Sequence, residues 1–393
     1  MLFQQKLWPD YILEYDPSQD AIVWEWHAWD HLIQDFDPTK DNFGVVGEHP
    51  ELIDINWNTN DGFPDWMHAN SIDYNEDLDQ ILLSVPHFDE VWIIDHSTTT
   101  EEAKGHTGGK SGKGGDLLFR WGNPITYRAD GPQQVFFAHD AQWVDDFVGV
   151  DNPYYGAISL FNNRVADDYS SVNILRPRID PNTGAYVQTE TTFAPSTFEL
   201  TLLHPDTFSI FSTGLSGAQV LPNDNFLILS GRTGSAYEIN PTTNEVVWEY
   251  IIPLRGGSPV EQGTVLASNN NITFRLIRYP VSYAAFQGKD LSPINYLELT
   301  PNEDFCANVV STNTIDIAFQ ELTIFPNPAT NFLRIEKGEI AETEWFIYDL
   351  LGRPVRSIAL LDATTSIPVG DLATGLYYLG SREVLARKFL IVE

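Results

Sequence analysis

Ala236-Tyr237-Glu238-Ile239-Asn240-Pro241-Thr242-Thr243-Asn244-Glu245-Val246-Val247-Trp248-Glu249-Tyr250 decides the fold. An alternating run reaches Asn-Pro, turns over three polar residues and returns as a second alternating run rich in aromatics. That pattern reads as a β-hairpin. The same unit stands near the start, where Tyr11-Ile12-Leu13-Glu14-Tyr15-Asp16-Pro17 turns at Ser18-Gln19-Asp20 and returns as Ala21-Ile22-Val23-Trp24-Glu25-Trp26. A third copy pairs Val91-Trp92-Ile93-Ile94-Asp95, across a long loop, with Asp116-Leu117-Leu118-Phe119-Arg120-Trp121-Gly122.

A second element precedes some of these hairpins. His68-Ala69-Asn70-Ser71 leads to Gln80-Ile81-Leu82-Leu83-Ser84. His139-Asp140-Ala141-Gln142 leads to Gly156-Ala157-Ile158-Ser159-Leu160. Ser216-Gly217-Ala218-Gln219 leads to Asn225-Phe226-Leu227-Ile228-Leu229. The three leaders stand 71 and 77 residues apart. Units of four short strands at such a period, swollen by loops, predict a β-propeller. Each blade has a face too apolar to stand alone, and stacking around an axis buries it. The first positions of the units then converge near the central channel.

The chain has 393 residues, with 42% hydrophobic and 13% aromatic side chains, enough for more than one core. Lys and Arg number 22 against 55 Asp and Glu, a net charge of -33. Such acidity repels phosphate backbones, so nucleic acid is not an expected partner. No apolar run of about 18 residues predicts a membrane span. Cys306 is the single cysteine, which excludes an internal disulfide framework and a cysteine-based zinc site. The start, Met1-Leu2-Phe3-Gln4-Gln5-Lys6-Leu7-Trp8, lacks the apolar core of a signal peptide, and the reading adopted is a chain that begins inside its first domain.

The end of the chain is a separate unit. Phe325-Pro326-Asn327-Pro328-Ala329-Thr330-Asn331 opens it. Phe346-Ile347-Tyr348-Asp349-Leu350-Leu351-Gly352-Arg353 stands in the middle, and Thr374-Gly375-Leu376-Tyr377-Tyr378-Leu379 and Lys388-Phe389-Leu390-Ile391-Val392 close it. Short alternating runs between the turns Asn327-Pro328, Leu351-Gly352 and Thr374-Gly375 read as a small immunoglobulin-like β-sandwich. The unit resembles the C-terminal sorting domain of the Bacteroidetes type IX secretion system. That resemblance implies passage through that machinery to the medium or the cell surface. The division expected is a propeller over 1–303, a linker over 304–322 and the sorting domain over 323–393.

The first domain resembles the arylsulfate sulfotransferase family of six-bladed propellers. The resemblance rests on Asp65-Trp66-Met67-His68-Ala69-Asn70-Ser71, Ser84-Val85-Pro86-His87, and Phe137-Ala138-His139-Asp140-Ala141. It rests also on Val23-Trp24-Glu25-Trp26-His27-Ala28-Trp29-Asp30-His31, Phe119-Arg120-Trp121-Gly122-Asn123-Pro124 and Phe274-Arg275-Leu276-Ile277-Arg278-Tyr279-Pro280. It implies transfer of a sulfuryl group from an aryl sulfate to a phenolic acceptor through a sulfated histidine, with no nucleotide donor and no cofactor. His68 and His139 match the family's channel histidines, and Asn70 keeps its place two residues after the first. Arg164, after Phe161-Asn162-Asn163, is the candidate to hold the sulfuryl oxygens, with Arg120, Arg176 and Arg178 as competitors. His87 is placed at the channel entrance.

One departure matters. The family's sulfated histidine lies on a later blade, and no histidine follows His204 here. Ser216 or Tyr237 stands at the counterpart position, depending on alignment. The nucleophile therefore stays open among the channel histidines and a hydroxyl. The alternative is a non-catalytic surface propeller that binds a sulfated or anionic ligand or a protein. His68 and His139 also have a plain reading, as inner-strand residues bonded to a neighbouring blade.

Two other motifs point away from chemistry. His27, Asp30 and His31 have spacing suited to a metal on one helical turn, but Trp24-Glu25-Trp26 reads as strand and the aromatics suggest packing, so no metal is expected. Lys104-Gly105-His106-Thr107-Gly108-Gly109-Lys110-Ser111 evokes a phosphate loop, yet Lys104 stands where that loop needs Gly and no helix follows. It reads as a flexible loop between two strands of a blade.

Overall fold

Asp and Asn side chains fold back onto the following amides and make the expected turns. Asp16 Oδ1 accepts from Ser18 N at 2.7 Å, Asn75 Oδ1 from Leu78 N at 2.9 Å, and Asn240 Oδ1 from Thr242 N at 2.9 Å. In this computed structural model, described over residues 6–58, 64–166, 168–189, 192–302, 323–336, 344–348, 354–362, 364–380 and 387–392, the chain divides into two units, Met1–Pro301 and Asn302–Glu393. The stretch expected as a linker, Cys306 and the Leu351-Gly352 turn lie outside the described residues.

The first unit opens with the hairpin Tyr11–Asp16 (β1) and Ala21–His27 (β2), then the short parallel pair Leu32–Ile33 (β3) and Ile53–Asp54 (β4). Three four-stranded antiparallel blades follow. The first is Ser71–Asn75 (β5), Gln80–Val85 (β6), Glu90–Asp95 (β7) and Phe119–Trp121 (β8). The second is His139–Trp143 (β9), Ile158–Asn162 (β10), Ser171–Leu175 (β11) and, beyond the small pair Gln188–Thr189 (β12) and Thr192–Phe193 (β13), Leu200–Leu202 (β14). The third is Gly217–Val220 (β15), Phe226–Ser230 (β16), Ser235–Asn240 (β17) and Glu245–Ile251 (β18). Leu254–Arg255 (β19) pairs with Ser258–Pro259 (β20).

Blade stacking explains why the middle strands are apolar on both faces. Ile81, Leu83, Trp92 and Ile94 pack with Trp24 and Trp26 of the opening hairpin. Their neighbours Leu82, Val91 and Ile93 face the other way, onto Trp143, Ile158 and Leu160 of the second blade. Phe161, Val172 and Ile174 then meet Ala218, Phe226, Ile228 and Tyr237 of the third. Leu82, Trp92, Ile93, Phe161 and Phe226 are all fully buried. Burying one such side chain contributes about 1.5–3 kcal/mol, so the interblade layers dominate the stability of the unit.

Side chains of each first strand bond the next blade's first strand. Ala141 N donates to Ser71 Oγ at 3.0 Å, Trp143 N to Asp73 Oδ2 at 2.7 Å, and Ala218 N to Asp140 Oδ2 at 3.2 Å. Residues 273–278 continue the series beside the third blade. Ser216 N donates to Phe274 O at 3.2 Å, and Arg278 N donates to Gln219 Oε1 at 2.8 Å. This is a β-propeller arrangement, with three complete four-stranded blades among the described residues.

The loop between β7 and β8 differs from the expected flexible connection. Thr99 caps the short helix Thr100–Ala103 (α1), and Glu102 reaches back to it in a capping box. Ser111 N donates to Asp95 Oδ2 at 2.9 Å, Gly114 N to Gly108 O at 3.0 Å and Gly115 N to Gly105 O at 3.0 Å. Its glycines are needed for this: a Cβ on Gly114, whose φ is +59°, would sit 2.3 Å from Gly105 O.

The second unit packs two sheets. Thr323–Phe325 (β21), Phe332–Glu336 (β22) and Thr364–Pro368 (β25) form one; Pro354–Ala359 (β24), Glu344–Tyr348 (β23), Gly375–Gly380 (β26) and Arg387–Ile391 (β27) form the other, in that spatial order. Leu333, Ile335, Trp345, Ile347, Leu379 and Phe389 fill the space between them, as a β-sandwich requires.

Candidate functional site

The entrances to β5 and β9 bring the first histidines together. Buried Trp66 and Met67 anchor the chain before β5. His68 then takes a left-handed backbone, φ +57°, which is uncommon outside glycine and asparagine. Its Nδ1 lies 2.5 Å from Asp65 Oδ2, and its ring stacks on His87 with centroids 5.2 Å apart. His87 comes from the turn between β6 and β7. Its Nδ1–H donates to the Asp65 carbonyl at 2.8 Å. Phe137 bridges onward, 5.7 Å from the His87 ring and 5.8 Å from that of His139.

The tautomer of His139 follows from its neighbour. Asn163 Nδ2 donates to the carbonyls of Ser212 at 3.0 Å and Leu215 at 2.9 Å. Its Oδ1 is therefore the atom 2.8 Å from His139 Nδ1, and that nitrogen must carry the proton. Nε2 of a neutral His139 keeps its lone pair. Burial lowers the His139 pKa to about 4, against the bonds to Asn163 and the Phe137 carbonyl, so the ring is neutral near pH 7.

Two guanidiniums border this ring. Arg164 stacks over Phe137 at 3.7 Å from the ring centroid and anchors its Nε–H on Thr213 O at 2.8 Å. Arg232 approaches from the turn between β16 and β17: a Cβ on Gly214 would lie 3.7 Å from Arg232 Nη2 and 3.8 Å from His139 Cε1. Among the described residues neither arginine has a carboxylate in a salt bridge, and the buried Nε of Arg232 has no hydrogen-bond partner. Burial pulls Arg164 below its ordinary pKa; the Asp89 charge opposes this and Arg232 adds to it. Asp89, which accepts from Phe137 N at 2.7 Å, is pushed up to about 6 by burial. Asp10 accepts from Ala69 N at 2.7 Å and is raised by burial as well, with Asp65, His68 and His87 as its ionisable neighbours.

Other expected residues lie elsewhere or are already engaged. Asn70 is a blade-to-blade tie: its Nδ2 donates to Ala138 O at 2.9 Å and its Oδ1 accepts from Ser84 Oγ. Ser216 is buried and its Oγ accepts from Gly231 N at 2.9 Å. Tyr237 sits in the layer between the second and third blades, against the His204 ring at 4.7 Å, with its hydroxyl 3.5 Å from Ser209 O. Of the competing arginines, Arg120 is fully buried against Glu90, and Arg176 pairs with Glu199 at 2.6 Å. Arg232 and Asp89 escaped the sequence reading, since a lone Arg in Gly-Arg-Thr-Gly and a lone turn Asp carry no motif.

The family model Arylsulfotransferase (ASST) matches residues 3–253. The chain belongs to the arylsulfotransferase family. The match ends before residues 273–280, although those continue the interblade contacts of this arylsulfotransferase-family unit. A second family model, Secretion system C-terminal sorting domain, matches residues 323–391, and with it the chain carries the type IX address to secretion or the cell surface. A search of curated proteins finds no match.

Solved structures similar to the chain include a protein of unknown function from Bacteroides caccae, at 10% identity over 92% of this chain and 99% of that one, TM-score 0.26. Another is the Cps50 (Swd1) β-propeller domain of Myceliophteria thermophila, at 9% identity over 95% and 88%, TM-score 0.29. A third is PorZ, a surface component of the type IX secretion system of Porphyromonas gingivalis, at 11% identity over 83% and 52%, TM-score 0.18. At these scores the blade topology itself carries the fold. No helix among the described residues is long and apolar enough to cross a membrane.

Proposed function

We propose that this arylsulfotransferase-family chain moves a sulfuryl group from an aryl sulfate to a phenolic acceptor, with His139 as the carrier. The observation that supports this best is the neutral, buried His139 beside two arginines that, among the described residues, have no carboxylate in a salt bridge. Sulfuryl transfer needs a neutral imidazole to attack sulfur and cations to hold the three sulfuryl oxygens. His139 Nε2 forms the N–S bond as the S–O(aryl) bond breaks and the first phenolate leaves. Arg164 and Arg232 bind the oxygens, and the unpartnered Nε–H of Arg232 gains an acceptor. The acceptor phenol then attacks sulfur, the N–S bond breaks, and the phenolic proton passes to His68, which is oriented by Asp65. That proton balances the one taken up by the leaving phenolate, so the cycle closes without a co-reactant.

A second reading has its own support. Ser216 and Tyr237, the two candidates for the later-blade counterpart position, are both buried and Ser216 is already bonded, which suits a propeller that binds a sulfated ligand without turning it over. One experiment separates the two. Phenolate release from a chromogenic aryl sulfate is followed with and without a phenol acceptor, and the trapped protein is mapped by mass spectrometry. Acceptor-dependent release with sulfate on the His139 peptide supports transfer through His139. Sulfate on another residue moves the carrier role there. Saturable binding without release favours the binding propeller.

A further inference from the structure

We propose that His31, His106 and Asp116 form a binding site for one divalent transition-metal ion, of which Zn²⁺ is the type, apart from the His139 cluster. One ring nitrogen of His31, one of His106 and one carboxylate oxygen of Asp116 all lie within 4.8 Å of one another. Two imidazoles and a carboxylate are the donor set of zinc and its neighbours rather than of calcium or magnesium.

The geometry of the three donors makes the case. His31 is fully buried, and its Nε2 lies 2.9 Å from the Ala103 carbonyl, which can only accept. Nε2 therefore carries the hydrogen, and Nδ1 of a neutral ring presents a lone pair. That lone pair faces Asp116 Oδ1 at 2.8 Å, another electron-rich atom. The same oxygen is 2.7 Å from His106 Nδ1, which can donate to it. His31 cannot donate without a second proton. A cation among the three atoms removes the conflict. Metal bonds of about 2.0–2.2 Å set tetrahedral donors roughly 3.3–3.6 Å apart, so each nitrogen–oxygen pair would part by about half an ångström or slightly more.

The surroundings fit as well. A metal-bound histidine usually donates its other ring N–H to a carbonyl or carboxylate, the role Ala103 O plays here. Trp26 fixes the His31 plane by stacking at 5.6 Å and 5°, and donates Nε1–H to Gly115 O at 2.7 Å. Gly115 must lack a side chain, since a Cβ would lie 2.6 Å from His31 Nε2 and 2.1 Å from Ala103 O. The glycine loop after α1 thus serves to return His106 to Asp116. His106 is exposed and borders a cleft of about 500 Å³ that also reaches Trp29, Asp30, Asp41 and His49, which leaves room for water as a further ligand. His27, whose spacing from His31 reads as packing rather than metal binding, turns to Glu25 at 2.9 Å and stacks on Tyr11.

The test is a titration of the full chain, stripped with chelator, with Co²⁺ and then Zn²⁺ under excess Mg²⁺ to cover the acidic surface. One Co²⁺ per chain with visible ligand-field absorption, displaced by Zn²⁺, is expected. His106→Ala, at an exposed position, should keep the fold and weaken Co²⁺ binding by tenfold or more, and Asp116→Asn should do the same. No Co²⁺ binding by the wild type overturns the proposal and leaves a doubly protonated His31 on Asp116. Binding of equal strength in His106→Ala overturns it too, by placing the ion elsewhere.

Discussion

The first blade and the rim between the second and third blades treat arginine in opposite ways. Arg120 in β8 is fully buried, with Nε and Nη2 on Glu90, Nη1 on Leu52 O at 2.9 Å and Nη2 also on Thr126 Oγ1 at 2.9 Å. Trp92 and Tyr127 lie against its guanidinium. Each donor group there has an acceptor from the protein, so nothing is left to offer a ligand. Arg164 and Arg232 have an aromatic ring, carbonyls and an amide as neighbours, and no carboxylate in a salt bridge among the described residues. A guanidinium with no protein carboxylate at salt-bridge distance, near a neutral imidazole, has donors left for an anion from outside, as the proposed role requires. Arg120 has its charge met at hydrogen-bond distance by Glu90 and, among the described residues, the other two arginines do not, so the partner, not the residue type, distinguishes them.

Removing Arg120 should do the most damage. Arg120→Ala leaves Glu90 buried and uncompensated, and should cost about 3–5 kcal/mol in denaturant unfolding. A loss below about 1 kcal/mol would contradict the structural role. Arg164→Gln and Arg232→Gln test the other side. Each should lower aryl sulfate turnover by about 10²–10³-fold, with melting temperatures close to wild type. A variant that melts early and turns over normally once corrected for folded fraction would place that arginine with Arg120.

The protonation state of His139 can be read from the pH dependence of the first half-reaction. With a pKa of about 4, the ring stays about nine-tenths neutral at pH 5, whereas an ordinary histidine is about 3% neutral there. Single-turnover phenolate release, which isolates the first half-reaction, should fall with a midpoint near pH 4. A midpoint near 6.5, about 30-fold slower at pH 5, would remove His139 from the carrier role. The sign for stability is the same: the depressed pKa favours folding above about 6.5, and that contribution is lost as pH falls through 4. Asp89 runs the other way. Its raised pKa contributes stability below about 3.8 that is lost as pH rises through 6. Asp89→Asn keeps an acceptor for Phe137 N, so it should stabilise the protein by about 1 kcal/mol at pH 7 and by little at pH 4.

The hairpins and the tail were legible because Asx turns and period-two alternation are local. That His68 and His139 open matching blades was legible in the repeat, while His87 and Arg164 were named through the family resemblance; the roles given to them belong to the proposal. Arg232 and Asp89 were not legible, since their meaning depends on which carboxylate or cation lies opposite, and that is settled by chain segments far apart. The His31–Asp116 contact spans 85 residues and is made by a loop that looked flexible. Asn70 kept its place in the motif, yet both ends of its amide went to protein partners.

Tyr237 shows the limit of alternation. In β17 five consecutive residues, Ser235 to Ile239, are buried on both faces, because blades cover each side of the strand. Alternation then cannot tell an axis-facing side chain from one in the interblade layer. Its hydroxyl reaches Ser209 O only at 3.5 Å, the outer edge of a hydrogen bond. Burial raises its pKa, which disfavours the phenolate a nucleophile would need. Tyr237→Phe should therefore change stability by about 0.5 kcal/mol or less and leave acceptor-dependent release at the wild-type rate. Loss of release in this variant, with folding intact, would return the carrier role to a hydroxyl and undo the contrast built on His139.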